Sequence, residues 1–112
     1  EVILGVSREM DFGHLVMFGL GGIYTEVLKD VQFSLAPLSF SEARRMIQGI
    51  RSYPILEGVR GEAGVSIDIL ADYLVRLSRL VNDFPQIREI DLNPVKGIGR
   101  ELFAVDARIL VD

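Results

Sequence analysis

The stretch from Glu89 to Asp106, EIDLNPVKGIGRELFAVD, constrains the fold of this chain more than any other. Ile90 and Leu92 alternate with Glu89, Asp91 and Asn93, and period-two alternation puts the two sets on opposite faces of a strand. One face is apolar and the other carries oxygen atoms. Pro94 lacks the N–H that a ladder needs and is expected to end this strand, while Gly97 and Gly99 supply the backbone freedom of a reversal. On the return, Phe103 and Val105 are predicted to join the buried face. That leaves Leu102, Ala104 and Asp106 on the face shared by Asp91 and Asn93, so pairing of the two strands gathers three oxygen-bearing side chains.

Two carboxylates and an amide carbonyl on one patch repel one another unless a cation lies between them. Hard oxygen donors suit Mg2+ or Mn2+ rather than zinc or copper. Magnesium takes one or two protein carboxylates and completes its shell with water and phosphate oxygens, which is the chemistry of a metal–nucleotide site. The plainer reading is a polar strand end, since Asp, Asn and Pro collect at turns for backbone reasons alone. Register decides between the two, because an odd-length turn flips Asp106 to the other face.

Upstream, VILGVS (Val2 to Ser7) and His14 to Phe18 read as an antiparallel hairpin whose continuous apolar run predicts cover on both faces. VQFSL (Val31 to Leu35) reads as a further strand closed by Pro37. The period then changes. Ser39 with Glu42 three residues on forms a capping box, and Phe40, Ala43, Met46, Ile47 and Ile50 recur at helical spacing. Arg44, Arg45 and Arg51 are read as a solvated face of this helix, which is expected to end before Pro54. After a glycine-rich connection, Ser66 caps a second helix over Ile67 to Asn82, with Ile67, Leu70, Leu74, Leu77 and Val81 as its apolar stripe. Asp72 and Arg76 are spaced for a surface pair worth about 0.2–0.5 kcal/mol. The expected fold class is α+β: an antiparallel sheet with two helices packed on one face, in a single domain over residues 1–112.

A formal charge of −4, with the Lys and Arg scattered, argues against a nucleic-acid partner. No apolar run reaches the roughly 20 residues of a membrane span, so no membrane partner is expected. The absence of cysteine removes disulfides, thiolate metal sites and a cysteine nucleophile, and it fits a reducing, cytoplasmic setting. Glu1 opens directly into a strand, which reads as an excised piece of a longer chain.

GLGGIY brings together Gly19, Gly21 and Gly22. It is either a loop whose N–H groups face phosphate or a tight turn, and it carries neither a Walker lysine nor the dinucleotide spacing. Glu26 and Asp30 are read as exposed, and Arg60 as a surface residue beside a turn glycine. His14, the lone histidine, is not assigned a catalytic role.

The blocks GVSREMDFGHLVMFGLGGIYTEVLKDV, LAPLS, YPILEGVRG, DFPQIREIDLNPV and AVDARI, in this order, resemble the C-terminal part of the ATP-grasp domain of NDP-forming acyl-CoA synthetases, the group that includes ADP-forming acetyl-CoA synthetase. Succinyl-CoA synthetase is similar. The resemblance implies that Asn93 and Asp106 hold the Mg2+ (or Mn2+) of ATP/ADP, with Asp91 beside or on the metal. It also implies that Gly21 and Gly22 lie near the nucleotide's reactive end. The implied activity interconverts acid, CoA and ATP with acyl-CoA, ADP and phosphate through an acyl phosphate and a phosphohistidine. No nucleophile is assigned to this segment. The implied partners are the nucleotide, the N-terminal ATP-grasp part, and the CoA-binding and phosphohistidine domains of the parent. Glu9 and Met10 replace the family's common Asp and Pro, and His14 stands where proline is usual. These departures bear on the loop and not on the ligand set. The alternative is a non-catalytic regulatory module of a synthetase-like protein lysine acyltransferase.

Overall fold

The computed structural model describes residues 1–10, 12–21, 30–57, 66–98 and 101–112. Gly22, Glu26, Arg60 and Gly99 lie outside the described residues. Within them the chain forms strands β1 (Val2–Glu9), β2 (Gly13–Leu20) and β3 (Val31–Leu35), then helices α1 (Phe40–Gln48), α2 (Tyr53–Glu57) and α3 (Ile67–Asp83). Strands β4 (Ile87–Ile98), β5 (Glu101–Ala104) and β6 (Ala107–Val111) complete the order. The sheet runs β3-β2-β1-β4, and both β5 and β6 pair with β4, every pairing being antiparallel.

The core lies between the sheet and the helices. Val2, Leu4 and Val6 of β1 with Val16 and Phe18 of β2 point to the side where Ala43, Met46 and Ile47 of α1 and Leu70, Leu74 and Val81 of α3 are buried. Phe18 is fully buried, and its truncation to Ala is expected to cost about 3–5 kcal/mol. Ile3 is also buried but faces the other way, so the cover on both faces predicted from the apolar run holds for the start of β1.

Helix α1 begins as its sequence dictates. The Ser39 side chain accepts from the Glu42 N–H and the Glu42 carboxylate accepts from the Ser39 N–H, closing the capping box. Those bonds from Ser39 hold the Glu42 carboxyl below its ordinary range. Phe40, expected in the apolar stripe, is half exposed at the first position of the helix. Arg44 is not simply solvated, since it pairs with Asp68 on α3. Helix α1 ends before Pro54, as expected, and Pro54 itself occupies the first turn of the additional short helix α2, where its missing N–H costs no helical bond. On α3, Ser66 caps by accepting from Ile69 N–H, and the Asp72–Arg76 pair closes at 2.9 Å.

Two readings of the C-terminal ribbon are overturned. Pro94 does not end a strand: β4 continues through it to Ile98, and the Pro94 carbonyl accepts from the Val105 N–H at 2.9 Å. The buried residue of β5 is Leu102, whereas Phe103 is 43% and Val105 is 59% exposed. The cause is a slip in alternation at Asn93–Pro94. Ile90 and Leu92 face the core before this step and Val95 faces it afterwards, so the buried positions move from even to odd numbers. The register with β1 records the same irregularity, with Leu4 opposite Leu92 but Val2 opposite Val95.

Asp30 is a third correction. Read as exposed, it is 7% accessible, and its carboxylate accepts the N–H groups of Arg51 and Ser52 at 2.6 and 2.8 Å. Burial alone raises its pKa. The Ser52 hydroxyl, the two N–H donors and the Arg51 charge outweigh burial, and the carboxyl lies below its ordinary value.

Candidate metal–nucleotide site

Asn93 and Asp106 are brought together by register. Leu92 pairs with Ala107 on β6, and Val95 pairs with Ala104 on β5. The same pairing carried across the gap sets Asn93 opposite Asp106 and Pro94 opposite Val105. The backbone agrees: Asn93 N–H donates to the Asp106 carbonyl at 3.2 Å, and Val105 N–H donates to the Pro94 carbonyl at 2.9 Å. A regular antiparallel ladder gives two bonds to one pair and none to the next. Here each pair has one bond, which marks where both strands slip together.

Leu92 and Ala107 share the core side, so Asn93 and Asp106, their direct neighbours, turn to the open side of the sheet, where both are exposed. Opposed residues of an antiparallel pair have Cα atoms about 5 Å apart, close enough for both side chains to reach one cation. Asp91 lies two residues before Asn93 on the same side and is opposed by Arg108. The three residues named from the sequence therefore share one exposed face.

Their side chains are uncommitted. No described residue hydrogen-bonds to, or forms an ion pair with, the side-chain oxygens of Asp91, Asn93 or Asp106. Asp30, Asp68, Asp72 and Asp112 are by contrast engaged by backbone or arginine partners. Among the described residues no group of three or more His, Cys, Asp or Glu is placed to hold a metal by itself. Two carboxylates and one amide form a sparse oxygen set, which suits a cation that draws the rest of its shell from water and phosphate.

The glycines have structural reasons of their own. A Cβ on Gly19 comes 2.5 Å from Val31 Cγ1 and 2.9 Å from the Asp30 carbonyl, so β2 and β3 approach closely only because no side chain is there. Gly21 N–H donates to the Glu1 carbonyl at 2.9 Å, and a Cβ there meets the Val2 carbonyl carbon at 3.2 Å. His14 is buried, with Nε2 2.7 Å from the Ile87 carbonyl oxygen, as a core histidine should be.

Comparison with known proteins places the chain in a family. The sequence profile of the ATP-grasp domain matches residues 1–111, and the chain belongs to that family. It is 49% identical over 111 residues to the beta subunit of acetate–CoA ligase [ADP-forming] I of Pyrococcus furiosus, covering 99% of this chain and 48% of that protein. It is 48% identical over 113 residues to 4-hydroxybutyrate–CoA ligase [ADP-forming] of Nitrosopumilus maritimus, covering 97% of this chain and 16% of that protein. The fold superposes with a TM-score of 0.94 on dinucleotide-forming acetyl-coenzyme A synthetase 1 of Ca. Korarchaeum cryptofilum, solved with coenzyme A and Mg-AMPPCP. Identity there is 42%, covering 100% of this chain and 53% of that one. The chain spans about half the length of the Pyrococcus subunit and about a sixth of the longer ligase. No described helix is long and apolar enough to cross a membrane.

Proposed function

We propose that this chain is the metal-bearing C-terminal subdomain of the ATP-grasp domain of an ADP-forming acyl-CoA synthetase. Its parent interconverts acid, CoA and ATP with acyl-CoA, ADP and phosphate by way of an acyl phosphate and a phosphohistidine. The observation that carries this reading is the opposition of Asn93 and Asp106 on an exposed face with their side-chain oxygens unclaimed by any described residue. The similarity to ADP-forming ligases over almost the whole chain supports it.

In this reading Asn93 Oδ1 and an Asp106 carboxylate oxygen hold the Mg2+ of the nucleotide, with Asp91 one step along the face. A cation held there would supply charge neutralisation for the phosphoryl group in transfer. The protein's own part is positioning. The ribbon fixes two ligands at one register step, and the sheet beneath holds them still through the core packing of Leu4, Leu92 and Val95. This reading needs no nucleophile from the segment, and His14 Nε2 lies 2.7 Å from the Ile87 carbonyl oxygen. Gly21 and Gly22 are kept near the nucleotide's reactive end as part of this proposal; the Gly21 N–H donates to the Glu1 carbonyl, and Gly22 lies outside the described residues. The N-terminal ATP-grasp part and the CoA-binding and phosphohistidine domains belong to the rest of the parent. Its setting is the cytoplasm, in keeping with the lack of cysteine.

The test is Mg-dependent ATP turnover with acid and CoA by the full-length parent and its Asn93→Ala and Asp106→Ala forms. A fall of at least 100-fold in kcat/KM in both is expected, the size of losing a charge-neutralising contact in the transition state. Unchanged rates in both variants reject the assignment. A parent that turns over no ATP with any acid favours the regulatory module of an acyltransferase.

A further inference from the structure

On the open side of the sheet one cross-strand row reads Phe33, Met17, Gly5, Asp91, Arg108, taken from β3, β2, β1, β4 and β6 in turn. The row lines a hollow of about 400 Å3. Gly5 is one of the residues that line it. A Cβ there comes 3.3 Å from Met17 Cε and 3.4 Å from the Ile90 carbonyl. One end of the row is apolar and the other is charged.

Arg108 stands at the charged end and is exposed. The other described cations on the strands have partners: Arg8 and Arg88 pair with Asp112, and Lys96 pairs with Glu1. Among the described residues Arg108 makes no ion pair, although Asp91 is its direct cross-strand neighbour. No described residue accepts a hydrogen bond from its five donors. Asp106 is two residues earlier on the same chain, about 7 Å along a strand, a span that an extended arginine side chain covers. Asp91 places a negative charge beside the proposed phosphates. A free guanidinium opposite it is the group that offsets that charge.

We infer that Arg108 is a phosphate-contacting residue of this site, its planar fork taking two oxygens of the nucleotide's phosphate chain on the side away from the metal. This rests on the reading that Asn93 and Asp106 hold a Mg-nucleotide.

The test is calorimetric titration of the full-length parent with Mg-ADP, comparing wild type with Arg108→Gln, Arg108→Lys and Asn93→Ala. Arg108→Gln is expected to weaken binding about 10- to 100-fold, the worth of a hydrogen bond to a charged group. Arg108→Lys is expected to recover part of that loss, because it keeps the charge without the fork. The ionic-strength dependence of Kd should be shallower in Arg108→Gln, and its nucleotide-free unfolding midpoint should match wild type. Binding by Arg108→Gln within twofold of wild type overturns the inference. So does a loss that comes with a lower unfolding midpoint and is not recovered by lysine. If Asn93→Ala loses Mg-ADP while Arg108→Gln keeps it, Arg108 is wrongly assigned and the metal site stands. If Asn93→Ala binds like wild type, the metal site falls and the Arg108 contact falls with it.

Discussion

Asn93 and Asp106 oppose one another across the ribbon near the C-terminus, tied by the Asn93 N–H donating to the Asp106 carbonyl at 3.2 Å. The tie is between backbones, so the side chains are spared for another task. Stability and ligand binding should then separate. Asn93→Ala and Asp106→Ala are expected to shift unfolding by no more than about 0.5 kcal/mol, as for exposed positions generally. Chemical denaturation of the parent without nucleotide checks this. Strong destabilisation by either substitution would assign these side chains to the scaffold.

The slip at Asn93–Pro94 makes Leu102, and not Phe103, the core residue of β5. Leu102→Ala should destabilise by about 2–3 kcal/mol and Phe103→Ala by less than about 1 kcal/mol. Comparing denaturation midpoints of the two variants decides the matter. The Leu102 carbonyl also accepts from the Tyr73 hydroxyl at 3.1 Å, which pins this strand to α3.

Asp30 ties the entrance of β3 to the turn before α2 by accepting two backbone N–H groups. Asp30→Ala leaves both donors without their acceptor, and a cost of about 1–3 kcal/mol is expected. The pH dependence has a definite sign. The folded-state pKa is depressed, so the contribution is fully present above the unfolded value of about 3.9 and is lost as pH falls through the lower folded value. Stability measured from pH 6 down to the acid limit should therefore fall less steeply in Asp30→Ala than in wild type.

Ser78 is buried on α3 at 0% exposure, and its hydroxyl donates to the Val75 carbonyl at 2.8 Å while accepting the Leu38 N–H at 3.0 Å. It joins the start of the α1 segment to α3. Ser78→Ala strands the Leu38 N–H and is expected to cost about 1–3 kcal/mol, with faster amide exchange at Leu38 than at the neighbouring core amides.

Local signals were legible where local chemistry decides. The Ser39–Glu42 box, the cap at Ser66 and the stripe through Leu70, Leu74 and Val81 follow from spacing alone, and the structure reproduces them. Asp30 was misread because its partners are 21 and 22 residues away, beyond what periodicity reports. Leu102 and Phe103 were exchanged because alternation was carried unbroken past Asn93–Pro94. Asp106 still meets Asn93, since both strands slip by one at the same step and the cross-strand register survives. Arg108 went unnoticed because a lone arginine acquires meaning only when the pairing of β4 with β6 sets it against Asp91.

Metal placement is tested most directly by anomalous diffraction from crystals of the parent grown with Mn2+ and ADP. The expected peak lies about 2.1–2.3 Å from both Asn93 Oδ1 and an Asp106 carboxylate oxygen, with phosphate oxygens in the same shell. A Mn2+ peak on the nucleotide that touches neither residue would contradict the site.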